Sequence, residues 1–265
     1  MSESFDVAVV GGGPAGLAAA LAARREGLTV AVVERSRPPL DKACGEGLMP
    51  VAVAALAQLG VALPVRSAPF TGIRYAAAGE VAEADFPGGA LGRGVRRTEL
   101  HAALAGAAEA AGVRLFWGRA ATALLPGGVA TGDGTLAARF VVGADGLRSQ
   151  VRAWAGLATA RRAPRRFGVV RHFRRAPWGG RVEVTFGDGV EAYVTPLAYA
   201  PDGGEIGVAL LWGGDGDGFD ALLARRLPPE LARRLAGAPV LGRDRGAGPF
   251  YQRARAAVRG RVALL

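Results

Sequence analysis

A single cysteine, Cys44, stands in 265 residues, so neither an internal disulfide nor a thiolate metal cluster is available. Histidine is nearly as scarce: His101 and His172 are far apart and lack ligand spacing, so both read as structural or surface residues and no metal is expected. Lysine is almost missing, because all but Lys42 of the 33 basic residues are arginine. The net charge of +10 comes from scattered arginines in a glycine-rich chain, with no basic run interleaved with aromatics. That distribution argues against a nucleic-acid partner. Long apolar runs are lacking too. The stretch from Gly11 to Ala23 is too short to cross a bilayer and opens on glycines, so no integral membrane segment is expected. The first residues, Met-Ser-Glu-Ser-Phe-Asp, are acidic where a secretion signal is basic, and a cytoplasmic protein is the expectation. Nothing in the sequence fixes an oligomeric state.

What is present begins with an apolar fraction of 50%, enough to build a sizeable core and to exclude disorder. Phe5 to Val10 is a short β-branched run ending on a glycine cluster, and reads as a buried parallel strand. Pro14 to Gly27 reads as a helix, with proline in its first turn and glycine at its end. Thr29 to Val33 is a second buried strand, followed by Glu34. This βαβ unit is then interrupted by a proline-rich loop, Cys44-Gly45-Glu46-Gly47, a short helix at 51–59 and a hairpin over Phe70 to Phe86 turning at Gly79. A strong helix resumes at Arg97, a strand follows from Val113 to Trp117, and Arg139 to Val142 leads into Gly143-Ala144-Asp145-Gly146. Four strands (167–173, 181–186, 190–196 and 205–212) predict an antiparallel sheet joined by the hairpin, and two short helices follow near 219–226 and 229–235.

The chemistry is concentrated in Gly11-Gly12-Gly13-Pro14-Ala15-Gly16, a G-x-G-x-x-G pattern placed after a strand and opening a helix. Gly11 permits the tight turn, Gly13 lets the backbone approach a pyrophosphate, and Gly16 lets helix and strand pack closely. Unpaired N–H groups and the helix dipole then favour an anion there. Glu34 ends the second strand, where a carboxylate accepts hydrogen bonds from ribose hydroxyls and repels a 2′-phosphate. This favours FAD or NAD over NADP at this site.

These residues resemble the flavoprotein monooxygenase family that includes aromatic hydroxylases, together with its geranylgeranyl reductase-like relatives. Residues 11–17 and Val33-Glu34-Arg35 are similar to that family's FAD fingerprint. Arg97-Thr98-Glu99-Leu100 resembles its arginine motif near the flavin phosphates, and Gly143 to Ser149 resembles its Asp-Gly motif, implicated in FAD and NAD(P)H contacts. Cys44-Gly45-Glu46-Gly47-Leu48 is similar to a loop near the flavin ring in the reductase-like and halogenase-like branches. The resemblance implies an α/β fold: a Rossmann-like FAD-binding domain of glutathione-reductase type, interrupted by an antiparallel-sheet substrate domain. The expected partition is 1–69, 97–164 and 250–265 for the first and 70–96 and 165–249 for the second. The implied cofactor-binding residues are Gly11, Gly13, Pro14, Ala15, Gly16, Glu34, Arg35, Cys44, Arg97, Asp145 and Gly146, with no catalytic acid or base.

Each position also has a plainer reading. Asp145-Gly146 makes a turn in many loops, Arg97 can be a solvated helix-start cation, and Arg35 is a surface cation or a wall for adenine. Cys44 is a small hydrophobe or a thiol, and Tyr193, Tyr199 and Trp212 line a substrate cavity or fill the core. The function implied is an NAD(P)H-dependent FAD monooxygenase acting on a small apolar or aromatic metabolite, with NADH or NADPH as reductant. The alternatives are an FAD-dependent reductase of C=C bonds and a non-catalytic nucleotide-binding module. The family's third motif, Gly-Asp after a late strand, has no counterpart in Arg259-Gly260-Arg261 or Val262 to Leu265, and is expected to lie beyond Leu265.

Overall fold

The computed structural model describes residues 3–159, 165–200, 203–214 and 218–265; the expected boundary at residue 164 falls outside them. The βαβ unit forms as β1 (Ser4–Val10), α1 (Pro14–Arg25) and β2 (Val30–Glu34). All five residues of β2 are buried, as the uniform Val/Ala run requires of a parallel strand covered on both faces. Around it an eight-stranded sheet runs in the order Val258–Arg259, Val262–Leu264, Gly134–Gly143, β1, β2 and Arg114–Trp117. The strands Gly128–Thr131 and Ala121–Leu125 continue antiparallel from Gly134–Gly143.

Register positions the site. Val10 pairs with Val33 on one side and with Gly143 on the other, so three parallel strands end level at Gly11, Glu34 and Ala144. The carboxyl ends of such strands are where open α/β sheets bind ligands. One face of the sheet packs Val7, Val9, Val30 and Val32 against α1 (Leu17, Leu21) and the helix Arg97–Ala110 (Leu100, Leu104). Burying side chains of this size stabilises the fold by roughly 1.5–3 kcal/mol each before conformational entropy is subtracted.

The second layer is a seven-stranded sheet in the order Val240–Ala247, Arg166–Phe173, Glu205–Gly213, Val190–Ala198, Arg181–Phe186, Gly72–Ala77 and Glu80–Asp85. The hairpin turns at Ala78 and Gly79, as read from the sequence, but Gly72–Ala77 joins the sheet parallel to Arg181–Phe186. The strand Val240–Ala247 was not foreseen. Its sequence, VLGRDRGA, has no apolar alternation, and it lies at the sheet's edge, where one side needs no partner. Helices Phe219–Arg225 and Pro229–Leu235 cover the face carrying Val194, Val208 and Leu210. A small third sheet, Gly47–Leu48 with Gly92–Gly94 and Ala68–Phe70, links the crossing segments. No helix among the described residues is long and apolar enough to cross a membrane.

Candidate nucleotide site

Between β1 and α1 the chain turns at Gly11, whose φ of +111° lies in the region that L side chains avoid. A Cβ there would stand 2.3 Å from the Ala144 carbonyl oxygen, and one at Gly16 would stand 1.9 Å from the Gly11 carbonyl oxygen. At Gly13 the situation is different. It is extended, it precedes Pro14 at the helix start, and among the described residues beyond its chain neighbours an added Cβ would meet the Arg97 guanidinium alone, at 3.9 Å. No side chain caps α1 and no acidic residue sits in its first turn. Leu17 N–H already bonds the Gly13 carbonyl at 2.9 Å, so the N–H groups of Ala15 and Gly16 are the ones left without an intrahelical partner, with the positive end of the helix dipole behind them.

Glu34 is buried, 7% exposed, and holds the loop: its Oε2 accepts from Gly12 N–H at 3.0 Å and its Oε1 from Ser36 N–H at 2.9 Å. It lines a cleft of about 340 Å³ with Gly11, Gly13, Arg35, Lys42, Asp145 and Arg148. Arg35 is exposed on this rim. Gly146, at φ +81°, has open space around it. Asp145 lies at the cleft, but its carboxylate is already engaged. Oδ1 accepts from Ser149 Oγ at 2.5 Å, and Oδ2 accepts from the N–H groups of Gln150 and Val151 at the start of the helix Gln150–Trp154. The Asp-Gly turn and the cleft wall are thus the same object.

Helix Arg97–Ala110 approaches the glycine loop from the other side. The Arg97 side chain reaches Gly13, and its buried Nε has no partner. One turn on, His101 is fully buried. Its Nε2–H donates to the Gly12 carbonyl at 2.9 Å, and its ring meets Trp117 edge-on at 5.5 Å. Sequence alone gave His101 no role. The signal was its place four residues after Arg97, on the same helical face. Burial pushes the His101 imidazole below its usual range, against the opposite pull of the Gly12 carbonyl. The unfolded chain therefore binds a proton that the fold resists, so stability is full above about pH 6.5 and falls as the pH drops toward the depressed folded value. His101→Gln, which retains a donor for Gly12, is expected to remove that fall while costing about 1 kcal/mol or less at pH 8. Melting curves from pH 8 to 5 would test it, and an unchanged pH dependence in the variant would refute the assignment.

Cys44 is half-buried, away from the cleft's lining, in the loop that precedes Gly47–Leu48. Two residues on, the buried Glu46 meets the buried His172 of the second sheet at 2.6 Å. Trp212 is core, as the plainer reading had it, and Tyr199 is half-exposed. Tyr193 donates to Glu191 at 2.7 Å, and its hydroxyl is pushed up to about 12, by burial first and then by that hydrogen bond. Besides His101, sequence reasoning passed over Lys42 and Arg148, which add positive charge to the cleft. Glu46 and His172 were also missed as a pair, being distant in sequence.

These residues fit a dinucleotide. An uncapped helix start, a buried orphan Arg97 Nε, a backbone open at Gly13 and a carboxylate at the end of β2 make a cradle for a pyrophosphate and ribose. Residues 4–178 match the FAD binding domain family. A menaquinone reductase of Mycobacterium tuberculosis is 38% identical over 160 residues, spanning 56% of this chain and 39% of that protein. A menaquinone reductase of Mycolicibacterium smegmatis is 42% identical over 123 residues, 44% of this chain and 30% of the relative. The chain thus matches well under half the length of these curated relatives. Among solved structures, the myxobacterial chondrochloren halogenase CndH superposes with a TM-score of 0.84 at 24% identity, over 99% of this chain and 68% of that one. PqsL, a probable FAD-dependent monooxygenase from Pseudomonas aeruginosa, gives 0.77 at 20%, over 99% and 78%. At these identities the likeness establishes the fold.

Proposed function

The chain belongs to the FAD binding domain family, and on that footing we propose that it works as an FAD-dependent oxidoreductase acting on an apolar small molecule. The observation that carries this is the meeting of the glycine loop, Glu34 and Arg97 at the level ends of three parallel strands. In this reading Gly11, Gly13, Pro14, Ala15 and Gly16 take the pyrophosphate, assisted by Arg97. Glu34 holds the ribose and Arg35 walls the adenine. The turn at Asp145 and Gly146 would contribute to FAD and NAD(P)H contacts, and the loop of Cys44 would lie near the ring. Bound FAD would supply two-electron chemistry, fed by NADH or NADPH. The protein's contribution is binding, orientation and exclusion of water. We assign no catalytic acid or base. The setting assumed is cytoplasmic, without a nucleic-acid partner.

Of the chemistries open to such a protein, we put reduction of an unsaturated quinone-type or prenyl substrate first. Relatives at 38% and 42% identity are named menaquinone reductase, and the Cys44 loop resembles the reductase-like branch. Hydroxylation is the second reading, supported by the fingerprint and Asp-Gly motifs. Titration of the chain with FAD, followed by flavin fluorescence with NAD as competitor, is expected to give saturable binding that NAD does not displace. Turnover with NADH or NADPH and a menaquinone analogue is then expected to persist without oxygen. Strict oxygen dependence with oxygen found in the product would replace reduction by hydroxylation. Tight FAD binding with no turnover in either gas would leave a nucleotide-binding module.

A further inference from the structure

The Glu46–His172 pair joins the two layers of the fold. Both residues are buried, and each oxygen of the Glu46 carboxylate accepts a hydrogen bond. Oε2 accepts from His172 Nε2 at 2.6 Å, and Oε1 accepts from the N–H of Arg97, the first residue of helix Arg97–Ala110, at 2.7 Å. The preceding residue, Arg96, gives that helix no side-chain cap, so a carboxylate from a remote loop does the capping. Glu46 achieves this with a φ of +58°, a conformation uncommon for a residue bearing a Cβ. Its carbonyl also accepts from Val95 N–H at 2.9 Å, and the neighbouring Gly45 carbonyl accepts from Thr195 Oγ1 at 2.8 Å.

The second sheet makes room for this. His172 pairs across strands with Gly207, where an added Cβ would stand 3.2 Å from Glu46 Oε2 and 3.6 Å from the His172 ring. Burying a carboxylate is costly unless it is hydrogen-bonded, and here its two partners lie on two separate elements, the strand Arg166–Phe173 and the helix Arg97–Ala110. The contacts continue beyond the pair. The helix start that Glu46 fixes sends the Arg97 side chain to Gly13 and, one turn later, His101 to the Gly12 carbonyl. Cys44 Sγ accepts from the Glu46 backbone N–H at 3.4 Å, so the residue whose carboxylate is fixed by His172 and Arg97 lies in the loop that carries the chain's single thiol.

We propose that Glu46 and His172 are positioning residues. They set the helix that presents Arg97 and His101 to the glycine loop, and they hold the Cys44 loop against the second sheet, so that FAD affinity depends on a histidine in a different layer. This rests on the reading of the cleft as an FAD site, but one of its readouts does not. The experiment compares wild type with His172→Gln, His172→Asn, Glu46→Gln and Glu46→Ala in the full chain. It measures FAD affinity by fluorescence and the rate at which Cys44 reacts with a thiol reagent, with melting curves to verify folding. A glutamine amide reaches where Nε2 sits, whereas an asparagine amide stops near Nδ1. His172→Gln and Glu46→Gln are therefore expected to stay within about threefold of wild type in both measures. His172→Asn and Glu46→Ala are expected to bind FAD at least tenfold more weakly and to expose Cys44 to at least tenfold faster reaction, gaps of about 1.4 kcal/mol or more. If Glu46→Ala fails to fold, the graded Gln and Asn pair at position 172 carries the test. FAD affinity or Cys44 reactivity in His172→Asn within twofold of wild type overturns the proposal. Failure of the wild type to bind FAD removes the cofactor reading, and the Cys44 rates still decide whether the pair anchors the loop.

Discussion

Gly11→Ala is expected to abolish measurable FAD binding and to lower stability by about 3 kcal/mol or more, whereas Gly13→Ala should abolish binding with stability nearly intact. The two glycines belong to one loop but serve different ends. At Gly11 a side chain meets a φ of +111° and the Ala144 backbone at 2.3 Å together. Backbone strain of this kind costs about 1–3 kcal/mol, and overpacking against a fixed carbonyl adds about 1–3 more. The Ala144 carbonyl cannot retreat, because the Ala144 N–H is tied to the Val10 carbonyl at 2.8 Å. Gly13 is extended and touches only the flexible Arg97 side chain, so a methyl there is tolerated by the fold, within about 0.5 kcal/mol. It would nevertheless occupy the surface that a pyrophosphate needs. Gly127, open on every side at an ordinary φ, provides the control. Denaturant unfolding and FAD titration of the three variants would decide the matter. A Gly13→Ala protein that bound FAD as wild type would mean that the anion does not sit on this loop.

Legibility in the sequence followed locality. The βαβ unit, the hairpin turning at Gly79 and the four strands of the second sheet could be read because each carries its own period and stop signal within ten or so residues. Glu34 and Asp145 were readable for the same reason, since the strand before each ends level with the glycine loop. What could not be read was contact between distant segments. Nothing near His172 in the chain announces Glu46, 126 residues away. The pairing of Gly72–Ala77 with Arg181–Phe186 is parallel because the chain returns to that edge from another layer, a fact no hairpin signal encodes. The edge strand Val240–Ala247 was invisible because most of it is exposed and it needs no apolar face.

The site shows the same division. The shape of the glycine loop is backbone geometry, which a motif specifies, so its turn and the helix start after it could be named in advance. His101 was unreadable as a site residue because its role is to accept burial and support a carbonyl, which any helix-face histidine could do elsewhere. Asp145 exposes a further limit. Motif resemblance assigns its carboxylate to a cofactor, yet three donors within the turn already use it. The backbone it shapes, including Gly146, then becomes the surface offered to a ligand.

Glu34→Ala is expected to weaken FAD binding about a hundredfold and to lower stability by about 2 kcal/mol. Both carboxylate oxygens are in use, one by Gly12 N–H and the other by Ser36 N–H, and each oxygen has a second lone-pair direction to offer the cleft. Truncation orphans two backbone donors, one of them buried, at about 1–3 kcal/mol for the buried one. It also removes the acceptor that a ribose would use, for which a factor of a hundred, about 2.7 kcal/mol, is the scale of a charge-assisted hydrogen bond. Glu34→Gln should not rescue fully, because an amide presents one acceptor and one donor where two N–H groups both need acceptors. Charge gives a separate reading of the same position. A carboxylate at the end of β2 repels a 2′-phosphate, so wild type is expected to favour 5′-ADP over 2′,5′-ADP as a competitor of FAD by tenfold or more. In Glu34→Gln that preference should shrink to within about threefold even though FAD affinity falls only in part. Competition titrations with the two nucleotides measure this directly. An unchanged preference in the glutamine variant would show that Glu34 braces the loop without facing the ribose.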